Sequence, residues 1–230
     1  MKLTWLGHSC FLIEEDGYRL ITDPYTEVDG YPPLHAEAHE ILCSHDHFDH
    51  NYTQAVTVLP KRESPFSIRT VASFHDDDGG ALRGPNTIHI IEAGGITVAH
   101  LGDLGHQLSP EQISKIGKCD VLLIPVGGFF TVDGDGAAQV AQMLGGGTLV
   151  PMHYRIGSYG FPKISGLEPF LAHFAPEQIH RLSENSFTAE KATDTQVVIN
   201  HDLARSYLQA LRSLAEDLQI KNDIPVSQMA

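Results

Sequence analysis

At 230 residues, with 42% hydrophobic and 19% charged residues, the chain has the size and composition of one soluble α/β domain with a sizeable core, not of a disordered segment. Its 29 acidic residues against 15 basic ones give a formal charge of −14, which argues against broad contact with nucleic acid or anionic lipid. Cys10, Cys43 and Cys119 have no paired spacing, the start of the chain lacks an apolar signal stretch, and no run approaches a membrane span, so a reducing, cytoplasmic setting is expected.

In chain order, residues 3–6, 10–14 and 18–22 predict an antiparallel meander, with Glu15-Asp16-Gly17 as a hairpin turn and Gly7-His8 as a bulge or bend. Residues 25–38 carry Gly30, Pro32 and Pro33 and no sustained period, which predicts a long loop and a candidate wall for an active site. A strand over residues 41–44 then feeds His45-Asp46-His47-Phe48-Asp49-His50, three histidines and two aspartates in six residues. Such a segment can present His45 and His47 to one side and Asp49 and His50 to the neighbouring side, enough for two metal ions.

A short helix is expected from Asn51 and a strand over 56–59, followed by a strand over 68–74 that ends at His75. Residues 87–91 and 96–101 read as a hairpin around Gly94-Gly95, and its second arm delivers Asp103. From there helices and strands alternate. Ser109-Pro110-Glu111-Gln112 is a helix start with a serine cap, a first-turn proline and a capping-box glutamine. Residues 121–126 and 148–152 read as buried strands on either side of a helix over 134–144, and the second strand delivers His153. A short helix over 169–174, small strands over 179–182 and 197–199, a helix over about 202–219 and an expected flexible tail over 220–230 complete the single domain.

His45-x-His47-x-Asp49-His50 resembles the signature of the metallo-β-lactamase fold superfamily, and Leu101-Gly102-Asp103 and Pro151-Met152-His153-Tyr154 resemble its later motifs, over residues 1 to about 165. The resemblance implies a four-layer αββα sandwich of two mixed sheets with outer helices. It also implies two divalent ions, Zn²⁺ first and Mn²⁺, Fe²⁺ or Ni²⁺ as alternatives. Residue by residue, His45, His47 and His75 would hold one ion, Asp49, His50 and His153 the other, and Asp103 would bridge them; His106 competes with His75.

His8 and Asp23, with their neighbours in Trp5-Leu6-Gly7-His8 and Thr22-Asp23-Pro24, resemble a branch of metal-dependent hydrolases that includes ascorbate-6-phosphate lactonase. Asp23 would support a metal-bound histidine through its other N–H.

The expected function is hydrolysis of a small ester, lactone or phosphoester by a metal-bridging hydroxide, with Asp49 accepting the proton and His8, His106 or Tyr154 returning one. Arg155, with Lys163 in reserve, is the expected anion-binding residue, and Tyr31 the expected aromatic wall. A phosphodiesterase or nuclease of the same fold is the alternative, followed by a di-iron redox or metal-binding protein. His47 speaks against the di-iron centre, since that class typically has glutamate there. The expected partner is a small molecule, without membrane or nucleic acid, and a homo-oligomer stays open.

Overall fold

Alternation of apolar residues decides the first sheet. Leu3 and Trp5 of β1 (Lys2–Gly7) pair with Ile13 and Phe11 of β2 (Cys10–Glu15), and Ile13 pairs in turn with Leu20 of β3 (Tyr18–Thr22). All five are fully buried in the main core. The β2–β3 turn falls on Asp16-Gly17, both at positive φ (48° and 72°), as a two-residue hairpin requires. The computed structural model describes residues 1–200, so the helix expected over 202–219 and the tail over 220–230 lie outside the described residues.

The outward residues of the same strands, Leu12 and Ile21, meet a second, smaller cluster that includes Tyr25, Val28 and Leu34. The segment after β3 therefore folds down on the outer face of this sheet. It ends in β4 (Ala36–Ala38), a strand the sequence pattern did not show, because three residues are too few to display a period. Next come β5 (Glu40–Leu42), parallel to β3, and β6 (Val56–Val58), which pairs with β4; the helix expected from Asn51 is only a 3-10 turn, Thr53–Ala55.

The second sheet begins with an antiparallel run, β7 (Ser67–Phe74), β8 (Pro85–Ala93) and β9 (Ile96–His100), and continues with parallel strands after α1 (Pro110–Ile116). Ser109 and Gln112 form the expected capping box on α1. Strand β10 (Val121–Pro125), helix α2 (Gly134–Met143) and strand β11 (Thr148–Met152) form a parallel crossover, and every residue of both strands is buried. Helix α3 (Glu168–Leu171), β12 (Ile179–Arg181), β13 (Ser186–Thr188) and β14 (Gln196–Ile199) follow.

The strand orders are β13-β1-β2-β3-β5 and β12-β14-β11-β10-β9-β8-β7, so β13, also unforeseen, returns the chain to the first sheet. Both sheets are mixed. Helix α1 packs at β7, α2 at β10 and α3 on α2, all with the second sheet. Among the described residues the outer face of the first sheet is covered by the 25–38 segment and the β4–β6 pair instead of a helix, as Gly30, Pro32 and Pro33 dictate. No helix among the described residues is long and apolar enough to cross a membrane.

This topology fixes where chemistry gathers. Strands β7, β9 and β11 run in one direction, so their carboxyl ends open at one edge of the second sheet. That edge is tied to the first sheet by two backbone hydrogen bonds, Thr87 N to Ser44 O at 2.8 Å and His153 N to His8 O at 3.4 Å.

Candidate metal centre

Each strand end at this edge delivers one polar side chain: His75 after β7, Asp103 after β9 and His153 after β11, while the loop after β5 brings His45 to His50. The β1–β2 link adds His8. Asp103 Oδ2 lies 3.2 Å from His50 Nε2, 3.2 Å from His75 Nε2, 3.3 Å from His153 Nε2 and 4.0 Å from His45 Nε2. One carboxylate oxygen thus sits among four imidazoles.

The donors fall into overlapping groups, each within 4.8 Å: His45, His47 and His75; His8, Asp49, His50 and His153; and His45, His50 and Asp103. The seven residues expected as ligands are all brought together. His8 is also there, with Nε2 3.3 Å from Asp49 Oδ2 and its ring 4.3 Å from that of His153.

The far sides of three of the rings are anchored, whereas Nδ1 of His8 and of His153 is buried without a partner. His50 Nδ1 bonds to Asp23 Oδ2 at 2.8 Å, His75 Nδ1 to the Phe130 carbonyl at 3.0 Å, and His45 Nδ1 to Ser44 Oγ at 2.9 Å. Such partners fix which ring nitrogen faces the centre. Asp23 also accepts from Ser44 N and Ser44 Oγ, both at 2.7 Å.

Asp103 is aimed by its backbone: its N–H donates to Asn86 Oδ1, while Asn86 Nδ2 donates to Ser73 Oγ and Leu101 O. Gly102 (φ 56°) precedes it, where a Cβ would collide with Asn86 and Ser44. His8, Asp23 and His153 all hold positive φ (51°, 43° and 52°), so three of the five non-glycine residues in that region among the described residues surround one site. Backbone held there costs on the order of 1–3 kcal/mol per residue, which surrounding structure must offset.

The electrostatics suit cations. Asp23, Asp49 and Asp103 are buried, and among the described residues none pairs with lysine or arginine. Burial pushes the Asp23 carboxyl up, but His100 and His50 outweigh it and hold it at about 2. Asp49 is likewise carried below the ordinary range, burial being outweighed by His8 and His50. Burial, reinforced by neighbouring histidines, pushes His8 down to about 4 and His45 to about 3, so both present neutral imidazole, the form that binds metal. The Nε2 atoms of His8, His45 and His50 and Oδ1 of Asp103 are buried without a hydrogen bond. Unsatisfied buried donors and acceptors are rare unless something binds them, and two divalent ions would fit this set.

Several expected site residues lie elsewhere. His106 is half-buried and stands outside the donor groups, with Nε2 accepting from Phe74 N at 3.2 Å and Nδ1 bonded to the Gln107 carbonyl at 2.8 Å, so both ring nitrogens are engaged elsewhere. Tyr154 follows His153 in sequence but turns into the core, stacked 6.0 Å from Trp5. Arg155 braces its own loop, with Nε on Gly157 O and Nη1 on Pro162 O. Tyr31 packs edge-on to Trp5, Tyr25 and Tyr159, away from the cleft, and the 25–38 segment is packing, not an active-site wall. Lys163 stands over the Phe129 ring at 4.7 Å, at the rim.

The walls belong to residues without a motif of their own. Phe48, Phe130 and Phe161 line a cleft of about 300 Å³ whose floor includes Asp49, Asp103 and His153. Given these positions, His75→Ala is expected to lose about half of the bound metal and His106→Ala none, measured by elemental analysis; the reverse would move the third donor to His106.

A family model described as the beta-lactamase superfamily domain matches residues 2–153, a span that contains every residue of the cluster. A UPF0173 protein of Pyrococcus furiosus is 30% identical over 184 residues, covering 69% of this chain and 85% of that protein. A UPF0173 metal-dependent hydrolase of Carboxydothermus hydrogenoformans is 29% identical over 193 residues, covering 67% and 84%. Among solved structures, a candidate Zn-dependent hydrolase of the metallo-β-lactamase superfamily from Thermotoga maritima is similar, with 32% identity, a TM-score of 0.68 and coverage of 86% of this chain and 97% of that one.

Proposed function

The chain belongs to the metallo-β-lactamase superfamily and is a metal-dependent hydrolase, and from that premise we propose that it uses two divalent ions, zinc by preference, to hydrolyse a small ester, lactone or phosphoester. The observation that carries the dinuclear reading is Asp103 Oδ2 among the Nε2 atoms of His45, His50, His75 and His153, at 3.2–4.0 Å. A carboxylate shared by two histidine groups is what a bridged pair of ions needs. Bound ions would lower the pKa of a shared water toward about 7 and polarise the substrate oxygen.

In this reading His45, His47 and His75 would hold one ion, Asp49, His50 and His153 the other, and Asp103 would serve both. Asp49 takes the proton that water gives up. His8 Nε2, 3.3 Å from Asp49 Oδ2, receives that proton from Asp49 and passes it to the leaving oxygen. Water thus adds OH to the carbonyl carbon or phosphorus and H to the departing oxygen. The substrate is a small molecule, and the acidic surface balance supports this against a nucleic acid. We further read the architecture as the sandwich of the superfamily, with the 25–38 segment and the β4–β6 pair standing in for the helical layer over the first sheet among the described residues, the branch as the one resembling ascorbate-6-phosphate lactonase, on His8 and Asp23, and the setting as cytoplasmic.

Protein reconstituted with Zn²⁺ and freed of loose metal is expected to carry two ions per chain by elemental analysis and to hydrolyse members of a panel of lactones and phosphoesters. One ion at saturation would refute the dinuclear reading. His8→Gln is expected to keep both ions and lose roughly 10²-fold in kcat, the usual size of a general-acid contribution. Loss of metal from this variant would make His8 a ligand instead of a proton carrier.

A further inference from the structure

The cleft over the ligand cluster has a character the cluster itself does not require. Its three phenylalanines form a connected set, with Phe161 6.2 Å from Phe48 and 6.0 Å from Phe130 between ring centroids. Phe161 also stands edge-on to His8 at 5.5 Å, so the aromatic surface reaches the reacting centre. Phe48 is 59% exposed, and a large apolar ring at the mouth of a polar site is a surface kept for a ligand.

Arg83 lines the same cleft. Its guanidinium carbon lies 5.7 Å from the Phe130 ring and 6.0 Å from Phe129, and among the described residues it pairs with no carboxylate. Arg62, Arg155 and Arg181 likewise pair with no carboxylate, but among the described residues Arg83 is the one arginine that lines the cleft over the donor cluster.

The placement of Arg83 is built. Asp76, directly after His75, accepts four backbone N–H bonds across the β7–β8 turn: Oδ1 from Asp78 and Gly80, Oδ2 from Leu82 and Arg83, at 2.7–3.0 Å. One buried carboxylate therefore holds the backbone of Arg83 in fixed relation to the donor His75. Since the bond uses the Arg83 amide, the side chain is free to serve another purpose.

We propose that this cleft selects substrates that join an apolar group to an anionic one, with Arg83 binding the anion and Phe48, Phe130 and Phe161 holding the apolar group beside the reacting ester. The proposal rests on the hydrolase reading above and names its substrate class. A planar, always-charged fork backed by aromatic faces suits a carboxylate or sulfonate, and three rings leave no room for the many polar partners a sugar would need. Asp76 is a positioning residue.

The test uses metal-loaded protein and a matched pair of substrates, phenyl hydrogen succinate and its methyl ester, followed by phenol release. The wild type is expected to favour the anionic ester in kcat/KM. Arg83→Gln is expected to lower the anionic-to-neutral ratio by about 10- to 100-fold through KM, the size of one lost charged hydrogen bond, and Arg83→Lys to restore part of it. Arg155→Gln is expected to leave the ratio where it is.

Binding of 3-phenylpropanesulfonate, followed by calorimetry, supplies a readout independent of turnover. Its affinity should fall by a similar factor in Arg83→Gln, and also in Phe161→Ala, with metal content intact in both. Equal effects on both esters, or an unchanged sulfonate affinity, would overturn the proposal. If the wild type binds the sulfonate through Arg83 yet releases no phenol, the ester-hydrolase reading fails and the binding assignment stands; turnover without Arg83 dependence has the opposite meaning.

Discussion

Asp103→Ala is expected to strip metal from both donor groups and to lower kcat/KM by roughly 10³-fold or more, which corresponds to several kcal/mol of lost metal-dependent stabilisation. The reason is geometric. His45, His50, His75 and His153 all direct Nε2 at one oxygen of this residue, so removing it deprives both groups of their common anion and leaves four imidazoles facing one another. Asp103→Asn keeps the volume and the Asn86 contact to the backbone but cancels the charge, and it should resemble alanine in metal content while staying closer to the wild type in melting temperature. Elemental analysis and thermal denaturation of both variants separate the two effects. A variant that keeps one ion at full occupancy would show that Asp103 serves a single position.

The strand-end logic that makes Asp103 readable in the sequence also explains what is not readable. Apolar runs such as Val121 to Pro125 declare a strand, and the polar residue that follows such a run in a parallel sheet arrives at the common edge, as His75, Asp103 and His153 do. The six-residue histidine loop is visible for the same reason, since spacing within one segment survives in the sequence. What lies beside the cluster depends on side-chain direction after a turn. His153 has a φ of 52°, so the chain reverses there, and Tyr154 and Arg155 leave the site although they adjoin it in sequence. Arg83, Phe130 and Phe161 enter it from three separate loops without any local pattern. The 25–38 segment misleads for a related reason: its tyrosines and prolines suit an exposed wall equally well, and only the outward faces of Leu12 and Ile21 reveal that it is packing. Strands β4 and β13 are three residues each and carry no period to detect.

Asp23 shows how much of such a centre is support. Its carboxylate is fully buried and satisfies three donors, the Ser44 amide, the Ser44 hydroxyl and His50 Nδ1, and it lies 3.9 Å from His100 Nε2. Ser44 Oγ in turn reaches His45 Nδ1, so one aspartate orients a histidine in each donor group. Asp23→Ala leaves His50 and the Ser44 amide buried without a partner, a defect of about 3–5 kcal/mol for breaking a buried charged pair. Metal affinity is expected to fall by about 10- to 100-fold, because both rings lose the bond that sets their direction. Asp23→Asn, with one oxygen and the same shape, should recover much of the stability and less of the affinity, since it can accept from Ser44 but cannot match the charge that holds His50. The check is a pair of measurements on each variant, melting temperature without metal and zinc affinity by chelator competition. If Asp23→Ala loses stability but binds zinc as the wild type does, the residue is a structural anchor of the loop and not a support for the donors.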